Sequence, residues 1–178
     1  GRSPTPAETL MPADHTIRAT VGRMLPDAER FLCDLIRFPS TPGTEEDAMS
    51  HAFAEFNKLQ GISAERIPLS DTIKNDPDYS TPVAGIKYAG RHNLRLLRRG
   101  RGGGKRLLLN AHMDVVPPSV NMPDAWNPQR RQDAIFGRGA CDDKGQVALL
   151  YLALKTLEAL HLDLDGDIIG HVGVEEEN

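Results

Sequence analysis

The sequence predicts an α/β fold, a mixed β-sheet flanked by helices, and three observations point to it. Amphipathic stretches at helical spacing alternate along the chain with short apolar runs of strand length. Proline, glycine and small polar residues punctuate the boundaries between them. Three clusters rich in acidic residues or histidine each follow an apolar run. They are Leu107-Leu108-Leu109-Asn110-Ala111-His112-Met113-Asp114, Gly137-Arg138-Gly139-Ala140-Cys141-Asp142-Asp143-Lys144-Gly145 and Val172-Gly173-Val174-Glu175-Glu176-Glu177.

The elements follow in order. Residues 1–15 are rich in proline and polar side chains and are expected to form a disordered tail, leaving 16–178 as one structural unit. A helix is predicted from about Pro26 to Arg37, with Phe31, Leu32, Leu35 and Ile36 on one face and Pro26 in its first turn. Pro39 and the turn Ser40-Thr41-Pro42-Gly43 end it. A second helix has Thr44 as its expected N-cap, Glu45, Glu46 and Asp47 at its positive end, and Gly61 beyond its far end. Met49, Phe53 and Phe56 make its buried stripe. Strands are predicted at Ile62–Ile67, Val83–Tyr88, Asn93–Leu97 and Arg106–Asn110, the last two flanking a glycine-rich turn as a hairpin. Residues 117–134 carry Pro117, Pro118, Pro123 and Pro128 and read as a long loop. After Gly145 a helix is predicted to about Leu160, apolar on more than one side and so covered on more than one side. Asp163 to Gly166 form a turn, and Asp167–Val174 reads as a buried strand.

At 178 residues the chain fits one ordinary domain, and 39% hydrophobic residues concentrated in periodic segments suffice for a packed core. A net charge of -4 argues against nucleic acid or an anionic membrane as partner. The local basic stretch holding Arg91, Arg95, Arg98, Arg99, Arg101, Lys105 and Arg106 is broken by Gly102-Gly103-Gly104 and reads as a solvated hairpin. Cys33 and Cys141, in a helix and a turn, suggest no disulfide framework. No run reaches the length of a membrane span, and no charged-then-apolar leader is visible, so a cytoplasmic location is expected. The chain opens Gly1-Arg2-Ser3-Pro4, as a tag remnant, a processed end or an excised piece would, and Met11 is a candidate native start.

Each cluster has chemistry to offer and a plainer alternative. In a strand, residues i and i+2 share a side, so His112 and Asp114 can touch. A neutral imidazole binds a metal through one nitrogen while a carboxylate on the other orients the ring. The alternative is a polar loop in which the two are merely paired. Asp142, in a glycine-rich turn before a helix, can bridge two divalent metals; the alternative is that Asp142 or Asp143 simply caps the helix. Lys144 either neutralises nearby carboxylates or is an exposed lysine of the first turn. Glu175, Glu176 and Glu177 crowd like charge, which a metal relieves by ligating one and leaving its neighbour as a base; otherwise they form an acidic loop.

Taken in order, Leu107–Val116, Gly137–Gly145 and Val174–Asn178 resemble the metallopeptidase family of acetylornithine deacetylase, succinyl-diaminopimelate desuccinylase, aminoacylase and bacterial glutamate carboxypeptidase. The resemblance runs from about Leu25 to the end and implies a zinc-exopeptidase-like fold. It implies His112 as a ligand of a first zinc, Asp114 as the partner behind it and Asp142 as the carboxylate bridging both metals. It also implies Glu176 as general base, Glu177 as a ligand of a second zinc, and a cis Asp142–Asp143 bond. The metals expected are two Zn2+, with Co2+ or Mn2+ as substitutes. The sequence departs from the family where Trp126-Asn127-Pro128 shortens a stretch and where Asp133-Ala134 replaces a common Asp-Gly. His15, His51, His92, His161 and His171 match no motif and read as ordinary histidines.

The resemblance implies hydrolysis of an amide or peptide bond in N-acyl amino acids or short peptides. Members of the family continue with another carboxylate ligand, an inserted lid domain that often dimerises, and a late histidine ligand. These 178 residues match the N-terminal part of the catalytic domain and are expected to be inactive alone. Two rivals stand beside this reading: a non-catalytic homologue acting as a binding or regulatory subunit, and an unrelated α/β binding module with acidic loops.

Overall fold

The computed structural model describes residues 11–80 and 83–177, so most of the expected N-terminal tail lies outside the described residues. The first helix, α1, spans Asp14–Arg37 and carries Pro26 in its interior rather than at its start. Asp14 and His15, expected in the tail, are helical. A helix α2 (Glu46–Phe56) and a strand β1 (Ile62–Pro68) follow. Thr44 does not cap α2; its hydroxyl donates to the Thr41 carbonyl at 2.9 Å, which stabilises the preceding turn instead. Ala48, Met49, Ala52 and Phe56 form the buried stripe, and half-buried Phe53 lies under the Arg66 guanidinium, 4.6 Å from its ring centre.

A short 3-10 helix (Asp71–Asn75) comes next, and then β2 (His92–Arg98), β3 (Leu107–His112), β4 (Gln129–Arg131), β5 (Ala134–Phe136), α3 (Lys144–Ala159) and β6 (Ile168–Gly173). Val83–Tyr88, expected as a strand, is irregular with a turn at its start. Residues 117–134 are not wholly a loop, because β4 and β5 form a small antiparallel hairpin across Arg131 and Ala134.

The main sheet runs β1-β2-β6-β3. The first three strands are antiparallel neighbours, and β3 lies parallel to β6. The hairpin expected between β2 and β3 is therefore absent; β6 sits between them. The glycine-rich stretch receives the turn before β6 instead of folding back on itself. Arg101 donates its backbone N–H to Leu164 at 2.8 Å and Gly102 to Asp165 at 2.9 Å. At Gly100 a Cβ would lie 2.5 Å from the Gly166 carbonyl oxygen, so close backbone packing selects glycine there. The surrounding arginines are spread over ion pairs, Arg95 with Glu65 at 2.9 Å and Arg101 with Asp165 at 2.6 Å, and do not form one basic face.

Side chains alternate across the sheet as period two requires. Leu94, Leu96, Ala111 and Val172 share a core with Phe31 and Leu35 of α1, Met49 and Phe56 of α2, and Val147, Leu150 and Tyr151 of α3. Gly170 lets α3 approach β6, since a Cβ there would stand 3.1 Å from both Leu96 and Leu150. Among the described residues no helix is long and apolar enough to cross a membrane.

Candidate metal centre

The parallel pair β3 and α3–β6 brings two cluster-bearing strands to the same end of the sheet. His112, the last residue of β3, is opposite Gly173, the last of β6. The ladder extends one step further, with Met113 N–H donating to the Gly173 carbonyl at 2.8 Å. Clusters that follow neighbouring parallel strands thus emerge side by side at their carboxyl ends, where α/β sheets place their sites. The glycine-rich turn brings the third cluster there at the start of α3, and the Asp142–Asp143 peptide bond is cis.

His112 is the centre of the cluster. Its Nδ1 lies 3.0 Å from the Asp114 backbone carbonyl and 3.4 Å from Asp114 Oδ1. A carbonyl oxygen only accepts, so Nδ1 carries a proton and Nε2 is the atom left for a cation. Around Nε2 stand Asp142 Oδ1 at 3.1 Å, Glu176 Oε2 at 3.5 Å and Asp143 Oδ2 at 3.8 Å. Ligand atoms of His112, Asp142 and Asp143 all fall within 4.8 Å of one another. Burial lowers the His112 pKa, but the Asp114 carbonyl and the carboxylates of Asp114, Asp143 and Glu176 outweigh it, and the net shift is upward.

Asp114 is fully buried and works on the opposite strand end. Its Oδ2 accepts the backbone N–H of both Glu176 and Glu177 at 2.9 Å, while Oδ1 is buried without a hydrogen-bond partner. Glu177 lies outside the close group of three; burial pushes its carboxyl up, and the Asp142 charge pushes it further. The side chains of Asp142 and Glu176 are 73% and 64% exposed while that of His112 is 10% exposed, so the cluster has a buried floor and an open mouth.

The donor set suits a divalent cation. One imidazole nitrogen and several carboxylates converge, and the carboxylates far outnumber the positive charge beside them. An N/O set of this kind matches zinc and similar ions. Without a cation the like charges repel, as the upward shifts of Asp143 (burial first, then Asp142 and Glu176) and Glu177 reflect.

The residues singled out from the sequence, His112, Asp114, Asp142, Glu176 and Glu177, thus gather at one end of the sheet. Sequence reasoning missed Asp143 as a member of the cluster, giving it no role beyond the alternative of capping the helix. It makes no side-chain cap, and its Oδ2 accepts the His112 N–H at 3.1 Å. Lys144 matches neither expectation, being neither exposed nor paired with carboxylates. Its Nζ is buried, donates to the Leu35 and Phe38 carbonyls at 2.8 and 2.7 Å, and stands 5.5 Å from the Trp126 ring centre. Burial pulls its pKa down to about 7. The reading also missed Arg91, which grips Glu45 and Glu175, because a buried arginine inside a basic stretch has no local signature.

Residues 108–178 match the model of peptidase family M20/M25/M40. The succinyl-diaminopimelate desuccinylase of Sphingopyxis alaskensis is 36% identical over 93 residues, 52% of this chain and 23% of that protein. That of Ralstonia nicotianae is 34% identical over 102 residues, 54% of this chain and 27% of that protein. The crystal structure of human carnosine dipeptidase 1 shares the fold with a TM-score of 0.72 at 17% identity, over 93% of this chain and 35% of that one. The chain spans about a quarter of the length of those two desuccinylases. Residues 108–178 thus resemble peptidase family M20/M25/M40, and nearly the whole chain shares the fold of human carnosine dipeptidase 1.

Proposed function

We propose that the protein carrying this chain is a metal-dependent amidohydrolase or exopeptidase that uses two zinc ions, with cobalt or manganese as substitutes. The observation that carries this reading is the convergence of Asp142, Asp143 and Glu176 on the free nitrogen of His112. His112 and Glu177 would each hold one metal, and Asp142 would bridge them. Bound metal would polarise the scissile carbonyl and acidify the attacking water.

The chain's own residues do the rest. The Asp114 carbonyl fixes the His112 tautomer, and the Asp114 carboxylate holds the backbone of Glu176 and Glu177. Glu176, exposed at the mouth, is the general base: it takes a proton from the attacking water and delivers it to the leaving amine. Substrates are N-acyl amino acids or short peptides, in keeping with the desuccinylases it resembles. The location proposed is cytoplasmic, as expected from the sequence, and the assembly proposed from the family resemblance is a homodimer formed through a lid domain.

Elemental analysis of the intact protein is expected to find two zinc equivalents. Assay against N-acetyl and N-succinyl amino acids and dipeptides is expected to find turnover that a chelator abolishes. Glu176→Gln is expected to lower kcat by about 10²–10⁴-fold. A metal-free protein inactive on the whole panel favours the non-catalytic homologue instead.

A further inference from the structure

Three separate ties run from the junction between α1 and α2 to the three cluster-bearing segments. At the glycine-rich turn, Lys144 Nζ bonds the Leu35 and Phe38 carbonyls. At the end of β3, Ser40 Oγ donates to the Met113 carbonyl at 2.8 Å and the Ser40 carbonyl accepts from Val115 N–H at 3.0 Å, on either side of Asp114. At the end of β6, the tie is electrostatic. Glu45 receives two bonds from Arg91, at 2.7 and 3.1 Å, and the same guanidinium donates to Glu175 Oε2 at 3.0 Å and the Val174 carbonyl at 2.7 Å. Ser40, Glu45, Lys144 and Arg91 are all buried.

We propose that residues 35–45 form a positioning frame that registers the three metal-bearing segments against each other, with Arg91 and Glu175 as the link that presents Glu176 to His112. The inference rests on the site reading above and assigns the first of the three consecutive glutamates. Glu175 Oε1 accepts the Tyr88 hydroxyl at 2.5 Å and Oε2 accepts Arg91, so both oxygens are engaged away from Nε2 of His112. Its neighbour Glu176 reaches that nitrogen, as alternation along an extended chain allows. Glu175 is an anchor, neither ligand nor base. The backbone of Glu176 is then held from both sides: Asp114 bonds its N–H, and Arg91 holds the residues before it. A buried charged triad contributes little net stability compared with apolar packing, so its value lies in position. Misplacing a catalytic group by about 1 Å costs on the order of 100-fold in rate.

The test uses the intact protein with the variants Arg91→Lys, Arg91→Met, Glu175→Gln and Glu176→Gln, and with Arg95→Met, an exposed arginine on the same stretch, as the control. Metal content, the absorption spectrum of the cobalt form, kcat and KM are measured for each. Glu175→Gln is expected to fold, keep its metal, lower kcat about 10–100-fold with KM within about threefold, and alter the cobalt spectrum. Arg91→Lys is expected to recover part of the kcat lost in Arg91→Met, and Arg95→Met to match the wild type. Because Arg91→Met leaves buried carboxylates unpaired and can fail to fold, Glu175→Gln decides the matter. Wild-type kcat and cobalt spectrum in Glu175→Gln, beside an inactive Glu176→Gln, overturn the frame while leaving the site reading intact. A wild-type protein without metal or hydrolysis overturns both.

Discussion

At His112 the two ring nitrogens have opposite tasks, and a pH dependence follows from that division. Nδ1 is committed to the Asp114 carbonyl, and Nε2 faces carboxylates. In the metal-free chain those carboxylates favour the imidazolium, and its pKa lies above the ordinary 6.5 despite burial. A pKa raised in the folded state contributes stability that is present below 6.5 and lost as pH rises through the folded value. A cation needs the same nitrogen without its proton. Metal affinity is therefore expected to rise with pH until pH passes the folded value, and binding below that value to release a proton. Titration calorimetry with zinc in buffers of different ionisation heat measures that release directly. The His112→Gln variant is expected to bind more weakly and to lose the imidazole's share of the released protons. Equal proton release in both proteins would place the proton elsewhere.

Among the elements, α1 and the glycine-rich turn show why some of the fold was legible in the sequence and some was not. The C-terminal half of α1 announces itself through Phe31, Leu35 and Ile36, which are buried as their spacing predicts. Its N-terminal half is hidden by Pro26, which reads as the first turn but is accommodated within a helix that packs on α3. Glycine has a different meaning at Gly139. There φ is +81°, and a Cβ would stand 2.8 Å from Val115 Cγ1 and 3.0 Å from the Lys144 chain. Gly22 has no atom within 4 Å of an added Cβ and sits in a regular helix. Alanine is thus expected to act in opposite directions at the two sites. Gly22→Ala should stabilise by about 0.5–1 kcal/mol through helix propensity. Gly139→Ala should destabilise by about 1–3 kcal/mol through overpacking on a positive-φ backbone. Urea unfolding of the two variants checks both signs.

Across the whole molecule, strand order was the least legible feature and the cluster residues the most. Leu107–His112 and Asp167–Val174 are apolar runs that any strand reading finds, but nothing local says that β6 inserts between β2 and β3. That choice depends on the α3 crossover and on glycines that receive the 163–166 turn, both long-range matters. His112, Asp142 and Glu176 carry chemistry at fixed places relative to strand ends, so their convergence survives the error in strand order. Buried links such as Arg91–Glu45 join residues distant in sequence and have no signature in either segment. The same geometry bears on what residues 1–178 do by themselves. Among the described residues the close cluster holds one nitrogen donor, and its mouth is open to water at Asp142 and Glu176. Water screens the carboxylates and competes for the cation there, and outer partners that hold ligands are worth about 10–100-fold in metal affinity. Residues 1–178 expressed alone are therefore expected to bind zinc about 10–100-fold more weakly than the intact protein and to give no measurable hydrolysis of N-acyl amino acids or dipeptides. Calorimetry and a cobalt-form assay on both proteins, side by side, decide it. Tight binding of two metals with turnover by residues 1–178 alone would show that the ligand set at the ends of β3 and β6 is sufficient as it stands.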